Sequence, residues 1–330
     1  MWTVLLHYLT ETLTALVSPA QRFFWLFLFA NVLIALGLTF WRLPKEVSDR
    51  AAKSLELAFP KEVYKHRSAL LDYRYAAINA FVSILIQAAT GVGTIVLMQQ
   101  SKGALDAVFG AAAKPLDASF LTCLAFTFGL VFLFDAANFF AHYLQHKIPA
   151  LWEFHKVHHS AEVLTPITVL RMHPIDDLIT AGTHIVAFGL ANGLFLHFHG
   201  GTVTTLTVLG ANVFYFLYYI FGYHLRHSHV WVMFPKGLRE IFSSPALHLV
   251  HHSKAEQHWD KNFAPVFTLW DWLFGTLYQP KQYEEIEFGI ADEDSRELRS
   301  IRQLYLTPFK KALAMATVGF GRLARQGGPN

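Results

Sequence analysis

The chain has 330 residues, of which 53% are hydrophobic and only 15% are charged, and its formal net charge is +3. This composition is too apolar for an ordinary soluble domain, and the small, thinly spread positive charge predicts no nucleic-acid partner. A single cysteine, Cys123, excludes a disulfide framework and a cysteine-based zinc site. We therefore predict an all-α protein that passes through the membrane several times.

Apolar runs predict four or five transmembrane helices, because about twenty apolar residues suffice for a helix to cross the hydrocarbon core. Before the first run, residues 2–17 are mildly amphipathic and predict either a helix in the membrane interface or a short packing helix. The runs occupy residues 23–41, 75–98, 120–141, 179–198 and 201–221. The last two are almost contiguous, so we expect a tight helical hairpin that either crosses the membrane or enters and returns from one side.

Basic residues predict the orientation of these helices. If every run crosses, residues 42–74, 147–178 and 224–330 lie on one side of the membrane and hold nearly all of the Lys and Arg. The positive-inside rule places that side in the cytosol. The histidine clusters of the chain fall on or near the same side, so we expect a cytosolic helical cap that contains them.

Two histidine triplets with the same spacing stand out in the sequence. The first consists of His155, His158 and His159, and the second of His248, His251 and His252. Each reads His-x-x-His-His. Residues i, i+3 and i+4 share one face of a helix, so the three imidazoles of each triplet are expected to project together. Each triplet is therefore a candidate metal-binding cradle.

Two further groups of histidines accompany the triplets. His142 and His146 have the i, i+4 spacing that places two imidazoles on one helical face, and they follow the third apolar run. His224, His227 and His229 form the other group, from which two ligands are expected. About ten imidazoles are too many for one ion, so we predict two metal ions.

The identity of the metal follows from the number of ligands. Imidazole binds Fe, Zn, Cu and Ni, so the ligand type alone does not choose among them. A structural zinc ion needs four ligands and a catalytic one needs three plus water, so such an excess of imidazoles is hard to explain as zinc chemistry. A redox-active pair beside a membrane suits oxygen activation, which favours iron.

This histidine series, together with its flanking sequences, resembles the fatty acid hydroxylase and sterol desaturase superfamily of membrane-bound non-haem di-iron enzymes. The resemblance covers roughly residues 59–278. It rests on the histidines above and on the flanks Phe59-Pro60 to Asp72, His173-Pro174-Ile175-Asp176, Leu225-Arg226-His227-Ser228-His229, Lys261-Asn262-Phe263-Ala264 and Trp270-Asp271 to Phe274-Gly275-Thr276.

The resemblance implies an O2-dependent enzyme with two iron ions that hydroxylates or desaturates a C–H bond of a membrane lipid, such as a fatty acyl chain or a sterol. It also implies that a separate protein, such as a cytochrome b5-like protein or a ferredoxin, delivers the electrons. No His-Pro-Gly-Gly haem motif occurs in the chain, which agrees with a separate donor. We accordingly expect an N-terminal membrane region at 1–119, a catalytic region at 120–280 and a C-terminal cytosolic tail at 281–330.

Carried over to this sequence, the resemblance implies ten metal ligands. They are His142, His146, His155, His158, His159, His224, His227, His248, His251 and His252. Within the 224–229 group, His227 is the first choice and His224 the second, and His229 is the substitute. A metal-bound histidine usually donates its other ring N–H to an oriented acceptor. The residues that we expect to provide or support such contacts are Asp135, Asn138, His173 and Asn262.

Other readings of these residues remain open. Asp135 is equally well explained by a hydrogen bond to another helix, and Asp271 is expected to have a structural role. The alternative function is a non-catalytic membrane protein that binds or transports metal, but its histidine clusters would lie within the apolar runs. A bis-histidine haem cytochrome needs only single histidines on facing helices. The histidines lie beside the apolar runs and in triplets, so an enzyme is favoured.

Overall fold

The computed structural model describes Leu6, Thr10 and residues 14–111, 119–200 and 205–326. The predicted amphipathic segment at 2–17 lies largely outside the described residues. Within the described part the chain is mainly helical, with one short β-hairpin. This confirms the predicted fold class.

The helices follow one another along the whole described chain. They are α1 (Trp25–Arg42), α2 (Arg50–Ala58), α3 (Lys61–Tyr64), α4 (Arg67–Phe109), α5 (Phe120–Lys147), α6 (Pro149–His159), α7 (Pro174–His199), α8 (Val213–Ile220), α9 (Pro245–His251), α10 (Leu269–Leu273), α11 (Asp292–Arg296) and α12 (Ile301–Gln326). Short 3-10 turns occur at Pro166–Leu170, Tyr223–Arg226 and Glu256–His258, and the hairpin strands are β1 (Thr207–Val208) and β2 (Ala211–Asn212).

Four helices in the described part are long and apolar enough to cross a membrane: α1, α4, α5 and α7. They correspond to the first four predicted apolar runs. Helix α4 has 43 residues, so it is about 64 Å long, roughly twice the thickness of the hydrocarbon core. Its polar N-terminal part therefore extends beyond the apolar layer and packs against the histidine-bearing elements.

The fifth predicted run is not a long helix. After α7, β1 and β2 pair in antiparallel register with Val208 opposite Ala211, and the turn between them has φ of +52° at Leu209 and +86° at Gly210. Positive φ at both central residues defines the tight hairpin turn that glycine favours. Helix α8 then has only 8 residues. The expectation of a transmembrane helical hairpin is corrected: threonine-rich, β-branched sequence before Gly210 favours extended structure.

Helices α4 and α7 approach closely because α7 carries small residues where they meet. A Cβ atom added to Gly193 would lie 1.7 Å from the Ser101 Oγ atom and 2.7 Å from the Met98 carbonyl oxygen. The Ser101 hydroxyl donates to the Gly189 carbonyl oxygen at 3.3 Å. Small residues of this kind allow membrane helices to pack backbone against backbone.

The buried Arg171 side chain links α6 to α4 through hydrogen bonds. The guanidinium of Arg171 donates to the Val157 carbonyl oxygen at 2.9 Å, to the Ser160 hydroxyl at 2.8 Å and to the Asp72 carboxylate at 2.7 Å. Because Asp72 neutralises the charge and each donor has a partner, the ion pair can exist in the interior. It holds the first histidine triplet in a fixed position above the membrane helices.

Candidate metal centre

The fold brings nine histidines together in two adjacent groups. In each group, one nitrogen of every ring lies within 4.8 Å of the corresponding atoms of the others. The five-histidine group consists of His142, His146, His155, His159 and His251, and the four-histidine group consists of His158, His227, His248 and His252.

Each triplet is divided between the two groups. Helix α6 gives His155 and His159 to the five-histidine group and His158 to the four-histidine group, whereas α9 gives His251 to the first and His248 and His252 to the second. The groups touch, since the ring centroids of His159 and His252 are 4.5 Å apart. The arrangement is therefore one centre with two compartments.

The facing nitrogen atoms have the spacing of metal ligands. The Nε2 atom of His159 lies 3.2 Å from the Nε2 atoms of both His146 and His155. In the other group, the Nε2 atom of His248 lies 3.0 Å from that of His227 and 3.1 Å from that of His252. An ion about 2.1 Å from each of two nitrogens at a right angle holds them about 3.0 Å apart. The donor set therefore fits a metal ion in each group.

Acceptors behind the five-histidine group orient its rings. The Nδ1–H of His142 donates to the Phe263 carbonyl oxygen at 2.9 Å, and that of His251 donates to the Lys261 carbonyl oxygen at 2.7 Å. Because carbonyl oxygens only accept, both rings carry the proton on Nδ1 and keep a lone pair on Nε2. Within the described chain, the buried Nε2 atoms of both residues have no hydrogen-bond partner. Such orphaned lone pairs are what a bound metal would satisfy.

Carboxylates complete this orienting layer. The Nδ1 atom of His155 lies 2.8 Å from the Asp176 carboxylate, and the Nδ1 atom of His146 lies 3.3 Å from the Asp260 carboxylate. A carboxylate that accepts the outer N–H fixes the ring and raises the basicity of the inner nitrogen. Three of the five rings, those of His142, His155 and His251, therefore have a hydrogen-bond acceptor behind them, and His146 has the Asp260 carboxylate nearby.

The four-histidine group has different surroundings. The Arg226 guanidinium lies 3.1 Å from the Nδ1 atom of His248. Because a guanidinium only donates, a neutral His248 carries its proton on Nε2 and would have to release that proton to bind a metal through Nε2. The Nδ1 atoms of His158 and His252 are buried without a partner in the described chain. This compartment therefore lies beside a fixed positive charge, in contrast to the carboxylates behind its neighbour.

Burial favours the neutral form of six histidines of the two groups. Burial, and secondarily the neighbouring imidazoles and Arg226, holds the pKa values of His158, His159, His227, His248 and His252 well below the ordinary value of 6.5. Burial likewise lowers the pKa of His251 to about 3. A neutral imidazole offers the lone pair that a metal requires.

The 224–229 group contributes only His227. The Nε2–H of His224 donates to the Arg22 carbonyl oxygen at 2.7 Å, and the Nε2–H of His229 donates to the Leu57 carbonyl oxygen at 2.8 Å. The expectation that His224 lies with the metal-binding imidazoles is therefore corrected. The segment begins with a 3-10 turn and continues as irregular chain, so its three side chains point in different directions.

Two predicted orienting residues contact other partners. The buried Asp135 carboxylate accepts from the backbone N–H groups of Val266 and Phe267 at 2.7 and 2.8 Å and from the Trp270 indole at 2.9 Å. The Asn138 amide lies 3.0 Å from the Nε2 atom of His184. Neither side chain hydrogen-bonds to an imidazole of the two groups, so this expectation is corrected. Asp135, which lies on α5, instead holds the segment after Phe263 against this helix through these hydrogen bonds.

The other two predicted orienting residues, His173 and Asn262, hydrogen-bond to backbone groups. His173 caps α7, because its Nδ1 atom accepts from the Ile175 N–H at 3.1 Å. The Asn262 amide donates to the Leu247 carbonyl oxygen at 3.1 Å, and Asn262 lies between the two residues whose carbonyls orient His251 and His142. Asn262 therefore positions two acceptors without touching a histidine.

Sequence reasoning did not single out Asp176, Asp260 or Arg226 as orienting residues. Asp176 was visible in the His173-Pro174-Ile175-Asp176 flank and Arg226 stood next to His227. No motif in the sequence pointed to Asp260. It lies in a loop, where its φ is +57°.

Comparison with known proteins shows which family the histidine-bearing region resembles. Residues 127–276 match the fatty acid hydroxylase family model, which confirms the resemblance. The chain is 33% identical to the ornithine lipid hydroxylase of Rhizobium tropici over 154 residues, and 34% identical to the cholesterol 25-hydroxylase of Homo sapiens over 146 residues. It is 27% identical to the alkylglycerol monooxygenase of Caenorhabditis elegans over 177 residues.

These matches cover part of each protein. They span 46%, 44% and 53% of this chain and 42%, 48% and 31% of the respective relatives. The chain thus matches less than half the length of each of these three relatives. No solved structure matches the chain.

Proposed function

We propose that this chain, whose central region matches the fatty acid hydroxylase family, is an O2-dependent di-iron enzyme that hydroxylates a C–H bond of a membrane lipid. The observation that carries the proposal is the division of nine histidines into two touching groups at the end of four apolar helices. The three relatives above are, by name, hydroxylases and a monooxygenase of lipids. This favours hydroxylation over desaturation.

The residues of the chain prepare the centre for metal. The five-histidine and four-histidine groups would hold one ion each, and two iron ions there would supply the redox chemistry that activates O2. The acceptors behind the first group, which are the Asp176 carboxylate and the carbonyl oxygens of Lys261 and Phe263, would hold the rings in the orientation that binding requires. The imidazole rings would therefore need little rearrangement to bind metal.

Aromatic side chains restrict water at the centre. The Phe263 ring packs against His142, His146 and His251 at centroid distances of 5.3, 4.9 and 5.6 Å. Trp152 covers His146 at 4.9 Å. Exclusion of water protects a reactive oxidant from side reactions. The wall formed by these rings supports an oxygenase rather than an exchangeable metal store.

We further propose that the centre lies on the cytosolic side and receives electrons from a separate donor, such as a cytochrome b5-like protein or a ferredoxin. Support comes from a charged groove beside the ends of both triplets, where Glu162 and Lys254 follow His159 and His252 closely in sequence. Four cationic and two acidic side chains line it: Arg67, Lys254, Arg296, Arg299, Glu162 and Glu287. Its positive balance suits an acidic partner.

The test combines metal analysis with isotope labelling. We expect purified protein in detergent to contain two non-haem irons per chain. When it is supplied with host membrane lipids and with a ferredoxin or cytochrome b5-like donor and its reductase, we expect it to transfer one atom of ¹⁸O2 to a lipid and to reduce the other to water, with the labelled product identified by mass spectrometry. The matched control is His158→Ala, which should lose metal and product together while still inserting into the membrane. Zinc without product would favour the metal-binding alternative, and haem absorbance would favour a cytochrome.

A further inference from the structure

A cavity of about 470 Å³ opens at the protein surface beside the C-terminal end of α1. Its lining includes two cationic side chains, Arg42 and Lys281, and two aromatic rings, Trp231 and Tyr283, but no carboxylate. None of the nine histidines of the metal centre lines it. The cavity therefore lies apart from the site described above.

Among the described residues, neither cation of this cavity has an acidic partner. The Arg42 guanidinium donates to the Trp231 carbonyl oxygen at 2.8 Å, which is a neutral acceptor. The acidic residue nearest to Lys281 along the chain is Glu284, which instead accepts from the Tyr278 hydroxyl at 3.0 Å. Two unopposed cations at one cavity attract an anion, and a planar guanidinium matches the oxygen atoms of a phosphate.

The wall of the cavity is held in place by packing. The Trp231 ring is buried and meets the Tyr283 ring edge-on at a centroid distance of 5.5 Å. The carbonyl oxygen of the same tryptophan fixes the Arg42 guanidinium. Because the lining is ordered before a ligand arrives, little side-chain entropy is lost on binding.

Exposed apolar residues place the cavity at the membrane surface. Arg42 ends α1, which is long and apolar enough to cross the membrane, and the neighbouring Trp41 is 80% exposed. Exposed Leu238 and Ile241 lie in a segment whose backbone accepts from the Gln279 amide at 2.6 Å, one residue before the cavity lining. Tryptophan at the end of a membrane helix is typical of the boundary between headgroups and acyl chains. A ligand of this cavity can therefore contact both water and lipid.

We propose that the cavity binds the headgroup of an anionic phospholipid. Arg42 and Lys281 pair with the phosphate, whose charge in a zwitterionic lipid is offset by a cationic group of the same headgroup. Trp41 and the apolar rim contact the first part of the acyl chains. Basic pockets beside membrane helices bind anionic headgroups in this way. Because Lys281 follows α10, the bound lipid links the first membrane helix to the chain beyond the histidines.

Binding of three soluble probes to the full chain in a non-ionic detergent tests the proposal. The probes are dihexanoyl phosphatidylglycerol, dihexanoyl phosphatidylcholine and glycerol phosphate, and native mass spectrometry measures the bound fraction of each during titration. We expect the phosphatidylglycerol to bind about tenfold more tightly than the phosphatidylcholine, because two unopposed cations face a headgroup with net negative charge. Glycerol phosphate, which lacks acyl chains, should bind more weakly than the phosphatidylglycerol.

Two variants and one control locate the effect. Arg42→Gln and Lys281→Gln should each reduce the preference for phosphatidylglycerol to about threefold or less. Lys281 is exposed in a loop, so its variant keeps the fold even if the change at Arg42 disturbs the end of α1. Lys45→Gln removes the same charge from an exposed side chain that does not line the cavity, and it should retain the preference.

Three results would overturn the proposal. The first is equal affinity of the wild-type protein for the two lipids, and the second is an equal loss of preference in the Lys45 variant. The third is binding of glycerol phosphate as tight as that of the phosphatidylglycerol, which would indicate a site for a soluble anion. Each result is independent of metal content and of product formation.

Discussion

Asp176 accepts a 2.8 Å hydrogen bond from His155 across 21 residues of sequence. Both side chains are buried, at 0% and 2% exposure. Asp176 lies in the first turn of a membrane helix and His155 in the cap, so this single contact couples the two layers of the protein. The imidazole that faces the metal centre is thereby oriented by the helix that also contributes to the lipid-facing bundle.

Replacement of Asp176 should weaken metal binding. We expect Asp176→Ala to reduce the affinity of the five-histidine group by about 10- to 100-fold, because the outer acceptor that orients His155 is lost. Metal retained after dialysis against increasing chelator concentrations measures this. Asp177→Ala is the matched control, since within the described chain the Asp177 carboxylate is not seen to accept a hydrogen bond from an imidazole. Equal metal loss in both variants would contradict the assigned role.

Two neighbouring histidines should differ in their effect on metal content. We expect His227→Ala to lose the ion of the four-histidine group, because the Nε2 atom of His227 lies 3.1 Å from that of His158 and 3.0 Å from that of His248. His224→Ala should keep both ions, because its ring hydrogen-bonds to the backbone of Arg22. Elemental analysis of the purified variants decides. Metal loss in the His224 variant would show that its placement outside the groups is wrong.

The helix cap at His173 should make stability depend on pH. Burial lowers the pKa of His173 below 6.5, so its contribution to folding is complete above about pH 6.5 and is lost as the pH falls towards the folded-state pKa. Protonation removes the acceptor that caps α7, which is worth about 1 kcal/mol. An asparagine at position 173 would also cap α7, but its side chain does not titrate in this pH range.

The measurement is the free energy of unfolding of wild type and His173→Asn between pH 8 and pH 5. We expect wild type to lose roughly 1 kcal/mol more than the variant on acidification. Parallel pH profiles would remove the basis for this assignment.

Two glycines of α7 should respond oppositely to alanine. Gly193 has the Ser101 side chain and the Met98 backbone within 3 Å of an added Cβ, whereas nothing lies within 4 Å of one at Gly182. We expect Gly193→Ala to destabilise the protein by about 1–3 kcal/mol through overpacking. Gly182→Ala should be neutral or stabilise by up to about 1 kcal/mol, because alanine favours the helix. Thermal unfolding in one detergent compares them, and equal midpoints would argue against close contact of α4 and α7.

The sequence by itself determined the membrane helices and the local geometry of the histidines. Long apolar runs require helices in a bilayer, and the i, i+3, i+4 spacing follows from helical periodicity, so four spans and two projecting triplets were predictable. The segment at 201–221 was not, because an apolar run does not distinguish a long helix from a hairpin followed by a short one.

Only the tertiary structure decided how the histidines are shared and oriented. His158 and His159 are adjacent in sequence but belong to different groups, and the separation depends on how α5, α6 and α9 approach one another. The same approach brings the loop carbonyls of Lys261 and Phe263 behind His251 and His142, and turns His224 away. Spacing along one helix fixes which face a ring occupies, whereas its partners come from distant segments that meet only in the folded chain.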